Sequence, residues 1–207
     1  LFPLPRVWHV PARSTTFWWP WLWDLQCDGV INLQQLLETG CSRKTKNRML
    51  TRGELIRVMP EVYRSAAWPM GRDQLKVAAC LRNPLAALAF TTAGQEWGLR
   101  RMTDPRIHVL VPHGVSPELD GVVVHRCRRI DDVDVVERPG GVRVTSVART
   151  LFDVGAIVGV GRLRSAVEHA IDQELVDFDD IDYFTHADLL YDLAGQMVKH
   201  LQSYLSE

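Results

Sequence analysis

Residues 28–64 read DGVINLQQLLETGCSRKTKNRMLTRGELIRVMPEVYR, and this stretch decides the fold. Asn32 stands three residues ahead of Gln35, the N-x-x-Q form of a capping box, in which each side chain satisfies a backbone N–H at a helix start. The helix predicted from there buries Leu33, Leu36 and Leu37 and is closed by Gly40. Ser42 then caps a second helix, which runs from Arg43 to Arg52 and stops at Gly53. Two short helices joined by a tight Gly-containing turn make the helix-turn-helix pattern. Leu55-Ile56-Arg57-Val58 and Val62-Tyr63-Arg64 are β-prone runs separated by Met59-Pro60-Glu61, which predicts a short hairpin, the wing. Upstream, Leu22, Leu25 and Gln26 share one face of a further helix that ends at Asp28-Gly29, and Val30-Ile31 is a short apolar link.

Charge separates this stretch from the rest. The whole chain of 207 residues carries a formal charge of −1, which says nothing of nucleic acid. Between Cys41 and Arg72, however, eight basic residues face only Glu54 and Glu61, a local balance of +6. From Ile130 to Glu207 there are fifteen acidic and six basic residues, a balance of −9. A basic module followed by an acidic one predicts that the first half meets phosphate and the second does not.

The second helix of the pair carries the candidate chemistry. Its first turns hold Arg43, Lys44, Asn47 and Arg48, with Met49 and Leu50 as inward anchors. Recognition helices enter the major groove with their N-terminal residues nearest the base edges. Arg and Lys match the acceptors of guanine, and Asn matches adenine. Ser42 belongs to the same helix start, while Arg52, Arg57 and Arg64 are better placed for phosphates, which supply affinity and salt dependence. The competing reading is an ordinary solvated basic helix; the capped helix before it and the basic hairpin after it favour DNA. Lys46 is the discordant residue, one turn before Leu50 where an apolar side chain belongs. Either it reaches out to the DNA backbone or the helix phase is different.

Beyond residue 70 the texture changes. A helix is predicted from Gly71 to Arg82, with Leu75, Val77, Ala78 and Leu81 apolar, and another near Thr92 that ends at Trp97-Gly98. Ile107 to Val111, Val122 to His125, Val133 to Glu137 and Val142 to Val144 read as strands, with Gly- and Pro-bearing turns between them. Ser146 to Gly155 and Val160 to Gln173 read as helices, the latter with a stripe of Leu163, Val167, Ala170 and Ile171. A tail helix is predicted over Ala187 to Leu205. The fold class expected is α+β: a leader over 1–20, a winged helix-turn-helix over 21–70, and a mixed α/β domain over 71–207.

Other chemistries find little footing. Cys27, Cys41, Cys80 and Cys127 are 14, 39 and 47 residues apart, which fits no zinc motif, and free thiols of a cytoplasmic protein are expected. The seven histidines are scattered singly, with none at metal-ligand spacing from a Cys or carboxylate. The acidic run Asp177 to Asp182 lacks the Gly and closing Glu of an EF-hand loop and suits a helix start capped by Asp177. No nucleophile elbow, Walker-type loop, HExxH or paired-carboxylate nuclease pattern is present, so no catalytic residue, metal or cofactor is expected. No apolar run of about 18 residues would span a membrane. The leader packs Phe17-Trp18-Trp19-Pro20-Trp21-Leu22-Trp23 together, and Pro20 and the lack of a cleavage motif argue against a secretory signal.

Taken in order, these residues resemble the AbiEi-type antitoxin family. The resemblance rests on Asp28-Gly29-Val30-Ile31, Gly40-Cys41-Ser42-Arg43, Arg52-Gly53-Glu54-Leu55 and Val62-Tyr63-Arg64 in the first half. In the second half it rests on Trp97-Gly98-Leu99, Ile107 to Pro112, Gly121 to Arg126 and Val144 to Asp153. It covers roughly Gly29 to Ile181; the leader and the segment after His186 depart from the pattern. The resemblance implies an antitoxin of a two-gene system whose toxin resembles a nucleotidyltransferase. It also implies a repressor that acts on its own promoter through the winged helix, commonly on inverted repeats of double-stranded DNA. The second domain would then serve neutralisation of the toxin. Some relatives carry a further Vsr-type nuclease-like domain after this region, and no nuclease activity is expected to carry over. Two alternatives stand beside the autorepressor: a shortened relative of those nuclease-bearing proteins, and an interaction protein whose winged helix is only scaffold.

Overall fold

A computed structural model describes residues 29–68, 71–114, 121–138 and 141–177. These form six α-helices and eight strands in two sheets, a mixed α+β fold. The helix predicted upstream of Asp28, the tail helix and all but the first residue of the Asp177–Asp182 run lie outside the described residues.

The first unit begins with β1 (Val30–Asn32), which the sequence presented only as an apolar link. Its strand character comes from pairing: Val30, Ile31 and Asn32 lie opposite Arg64, Tyr63 and Val62 of β3 (Val62–Ser65). Asn32 ends the strand and starts α1 (Leu33–Glu38) through the predicted box, with Gln35 N–H donating to Asn32 Oδ1 at 2.8 Å and Asn32 N–H to Gln35 Oε1 at 3.0 Å. Gly40, at φ +86°, makes the turn into α2 (Arg43–Thr51). Ser42 caps that helix by accepting from Thr45 N–H at 3.0 Å. It ends one residue earlier than predicted, because Gly53 N–H bonds Leu50 O and Glu54 N–H bonds Met49 O, the paired bonds that terminate a helix ahead of a left-handed glycine. β2 (Leu55–Met59) and β3 then form the antiparallel hairpin, and the small sheet has the order β1-β3-β2.

Each face of this sheet is covered. Ile31, Leu55 and Tyr63 pack with Leu33, Leu36, Cys41 and Met49 beneath α1 and α2. Val30 and Val62 point the other way, as strand alternation requires, and a register shift between Arg57 and Met59 turns Met59 to join them, in a core shared with α3 (Arg72–Arg82). Helix α3 contacts all three strands of the small sheet and also the second sheet. The element that opens the second predicted unit is therefore also the floor of the first.

The second sheet is mixed, in the order β6-β5-β4-β8-β7. Its centre, β4 (Ala87–Leu88), is two residues long and was not predicted; so short a run has no readable period. It pairs antiparallel with β5 (Ile107–Pro112) and parallel with β8 (Val142–Thr145). β6 (Val122–Cys127) runs parallel to β5 along six residue pairs, and β7 (Val135–Arg138) antiparallel to β8. The strand expected from Val133 starts at Val135, because Asp132–Asp134 is a single 3₁₀ turn in which Asp131 N–H bonds Asp134 Oδ2 at 2.8 Å. One face of the sheet packs on α3; the other meets α4 (Phe90–Glu96). Helices α5 (Val147–Gly155) and α6 (Val160–Asp172) close that side with Leu151, Val154, Leu163, Val167 and Ala170. Ser146, where the predicted helix begins, is the N-cap of α5 and accepts from Arg149 N–H.

Candidate nucleic-acid interface

Helix α2 buries Met49 and half-buries Thr45, Lys46 and Leu50. Its opposite face, at Arg43, Lys44, Asn47, Arg48 and Thr51, is exposed, and so is Ser42 at its start. Those five positions follow helical spacing and form one continuous stripe, with three guanidinium or ammonium groups and one carboxamide on it. No acidic residue lies within α2. Around the stripe, Arg57 on β2 is exposed, and Arg52 makes a loose, solvent-exposed pair with Glu54 at 3.9 Å. Such a pair is worth little and can be exchanged for a phosphate.

Two of the basic residues are not part of that stripe. Arg64 donates Nη1 to the carbonyls of Ser65 at 3.1 Å and Trp68 at 2.8 Å, so it ties the end of β3 to the following turn. Lys46 answers neither expectation raised for it. The helix phase is as predicted, with Lys46, Met49 and Leu50 inward, and the ammonium does not turn outward. Nζ ends 3.3 Å from Tyr63 Oη and 5.3 Å from the centroid of that ring. A half-buried cation is satisfied there by a hydroxyl acceptor and a π face. The signal in the sequence was Tyr63 itself, the only aromatic residue between Gly29 and Ala67.

A shallow cavity of about 460 Å³ lies beside the start of α2, lined by Leu33, Gln34, Leu37, Glu38, Arg43 and Glu61. Its two carboxylates make it unfit for a phosphate backbone, so the basic stripe is bounded on this side.

Three charged clusters in the second unit were not legible from spacing. Lys76 Nζ lies 2.7 Å from both Asp73 Oδ1 and Glu96 Oε1, and Glu96 Oε2 also receives Arg138 at 3.3 Å. Burial opposes the charge on Lys76, but the two carboxylates outweigh it and raise the pKa. The fold assembles this carboxylate–lysine cluster from separate elements; both carboxylates in it are matched by cations, and Arg138 lies over the Trp97 ring at 4.7 Å. Second, buried Arg149 bonds Asp153 at 3.0 Å and Asp134 at 3.2 Å, and its Nη2 lies 3.2 Å from Cys127 Sγ. Burial again opposes charge there, and Asp153, Cys127 and Asp134 together hold the guanidinium above its ordinary range. Third, His108 and His125, 17 residues apart in sequence, are hydrogen-bonded to each other, and His108 is bonded also to Asp104. Among the described residues, no group of three His, Cys, Asp or Glu side chains could hold a metal ion. Cys41 and Cys80 are buried and Cys127 half-buried, all as free thiols. No helix among the described residues is long and apolar enough to cross a membrane.

No family model matches the chain, and no curated protein sequence does. Among solved structures, the fold is similar to the crystal structure of RV2827C protein from Mycobacterium tuberculosis, with a TM-score of 0.54 and 19% identity. The likeness covers 91% of this chain and 78% of that one, and at that identity it concerns the fold alone.

Proposed function

We propose that this protein is a non-enzymatic, sequence-specific DNA-binding regulator in which residues 29–68 act as a winged helix and α2 as the recognition helix. The observation that carries this reading is the exposed stripe Arg43, Lys44, Asn47 and Arg48 on a helix fixed at both ends and pinned from beneath by Met49. The order strand, helix, helix, hairpin supports it, since the hairpin flanks the helix and brings Arg57 to the same neighbourhood of sequence and charge. Arg43, Lys44, Asn47 and Arg48 are assigned to base edges, Ser42 to the helix start, and Arg52 and Arg57 to phosphates. Arg64 belongs to the hairpin's own structure.

Following the AbiEi-type resemblance, we further propose that the protein represses the promoter of its own toxin–antitoxin operon, and that its acidic second unit serves against a nucleotidyltransferase-like toxin. Neither a nuclease nor a pure interaction module is favoured by a specific observation.

The test is competition binding on the gene's own upstream DNA against random duplex over a salt series. A preference for the upstream sequence, lost with Arg43→Ala plus Arg48→Ala, supports the reading; equal affinity for both duplexes overturns it. A toxin encoded beside this gene and neutralised on co-expression would support the second proposal separately.

A further inference from the structure

Parallel strands β5 and β6 place Leu110 opposite His125 and His108 opposite Val123, so the two imidazoles are diagonal neighbours on the face that meets α4. His108 is buried, at 2% exposure, and uses both ring nitrogens: Nδ1 lies 2.9 Å from His125 Nε2, and Nε2 lies 3.2 Å from Asp104 Oδ2. The rings are nearly parallel, 15° apart. Phe90 stacks on His125 with centroids 3.8 Å apart and lies 6.1 Å from the His108 ring. To stand there, Phe90 takes φ +52°, a conformation costly for a bulky residue, so the surrounding structure holds strain at this point.

Donor and acceptor roles follow from one end of the chain. Arg106 donates Nε and Nη2 to Asp104, at 3.2 and 3.1 Å, and its backbone N–H at 2.9 Å, which holds the carboxyl well below its ordinary range against the opposing effect of burial. An ionised carboxylate can only accept. His108 Nε2 must therefore carry hydrogen, and neutral His108 then offers a lone pair at Nδ1. His125 Nε2 must donate to it, which leaves His125 Nδ1 as the one basic atom of the chain.

We propose that Asp104, His108 and His125 form a proton-binding device that fixes both rings in the Nε2–H form. It takes one proton at His125 Nδ1 without rearrangement and breaks the link between β5 and β6 side chains on the second. The first proton leaves every bond of the chain in place. The second has only His108 Nδ1 to occupy, and two N–H groups would then face each other across 2.9 Å. The charged groups facing the pair are Asp104 and Arg106 ahead of β5 and Arg72 at the start of α3, whose Nη2 bonds Arg106 O at 2.8 Å. Helix α4 presents Phe90 and Thr92, which are uncharged; the Thr92 hydroxyl accepts the His108 backbone N–H at 2.9 Å. On β6, Cys127 shares the face of His125, and Arg126 is exposed. Burial, then the neighbouring His108 and Arg106, push His125 down to about 4. Burial lowers His108 as well, partly offset by Asp104.

The experiment is long-range ¹H–¹⁵N correlation of the histidine rings in the whole protein from pH 8 to pH 3.5. At pH 7 both rings are expected as single Nε2–H tautomers, with His125 Nδ1 protonating near pH 4 and the His108 Nε2 proton retained through that step. An Nδ1–H tautomer on either ring at pH 7, or independent titration of His108 near its ordinary value of about 6.5, overturns the proposal. Asp104→Ala gives a second arm: loss of the single tautomer at His108 supports the chain, and an unchanged tautomer overturns it. The wild-type spectra decide the matter if that variant does not fold.

Discussion

Arg149 shows what a single residue must do where charge is buried. Its side chain is 6% exposed, and Asp134 and Asp153 are 5% and 6% exposed, so none of the three is solvated by water. Removing one partner leaves the others uncompensated, at a cost of about 3–5 kcal/mol. Arg149→Met is therefore expected to lower unfolding free energy by that order in urea titrations. Asn32→Ala is a milder case. It removes one half of the box at the start of α1 and is expected to cost about 1 kcal/mol by the same measurement. Arg64→Ala separates structure from recognition: it should lower stability while leaving the salt dependence of DNA binding unchanged. Loss of about one unit of salt slope would instead mark Arg64 as a phosphate contact.

At the scale of elements, α2 depends on what lies beneath it. Met49 is its one fully buried side chain, and Met49→Ala is expected to cost about 2–5 kcal/mol and to weaken DNA binding by loosening the helix rather than by removing a contact. Raising the DNA concentration should then restore part of the lost stability, because binding draws the population to the folded form. Both caps and both glycine stops of α1 and α2 were legible in the sequence, since capping is local chemistry within a few residues of the helix end. The helices and four of the five strands of the second unit were legible from periodicity. The 3₁₀ turn at Asp132–Asp134 was misread as strand because Val133 and Val135 alternate correctly, while the deciding bond, from Asp134 back to Asp131, leaves no trace in apolar period. The stripe on α2 was assembled correctly from spacing. Lys46 stood apart by its inward phase and Arg64 by its place on the hairpin, but their partners were not legible, because Tyr63 and the Trp68 carbonyl are brought up by the hairpin and the turn after it and not by the helix. His108 and His125 escaped for the same reason: parallel pairing sets them side by side, and no local pattern announces which strands pair.

For the whole molecule, α3 is the joint. Val77, Ala78 and Leu81 pack with Val30, Met59 and Val62 of the small sheet and with Leu88, Ile107, Val109 and Val144 of the large one. A core shared in this way predicts a single cooperative transition over residues 29–177, and Leu81→Ala should lower one common midpoint by about 2–5 kcal/mol of stability. Two separated transitions in calorimetry would show that the units fold apart. Acid sensitivity is also a property of the whole. His125 has a folded value of about 4, below its ordinary value of about 6.5, so the unfolded chain binds more protons between those limits. The stability it contributes is complete above pH 6.5 and declines as pH falls towards 4. Asp104, held below the ordinary carboxylate range by Arg106, extends the loss further into acid. His125→Phe is expected to flatten the upper part of that decline in pH-resolved thermal melts, and an unchanged slope would remove His125 from the account.

If DNA lands on the exposed face of α2, as proposed, amide chemical-shift mapping during titration with the upstream duplex will show it. The earliest and largest shifts are expected on Ser42 to Thr51, with Arg57 next, and they should weaken as salt rises. Shifts confined to residues 72–177, with α2 unmoved, would contradict it.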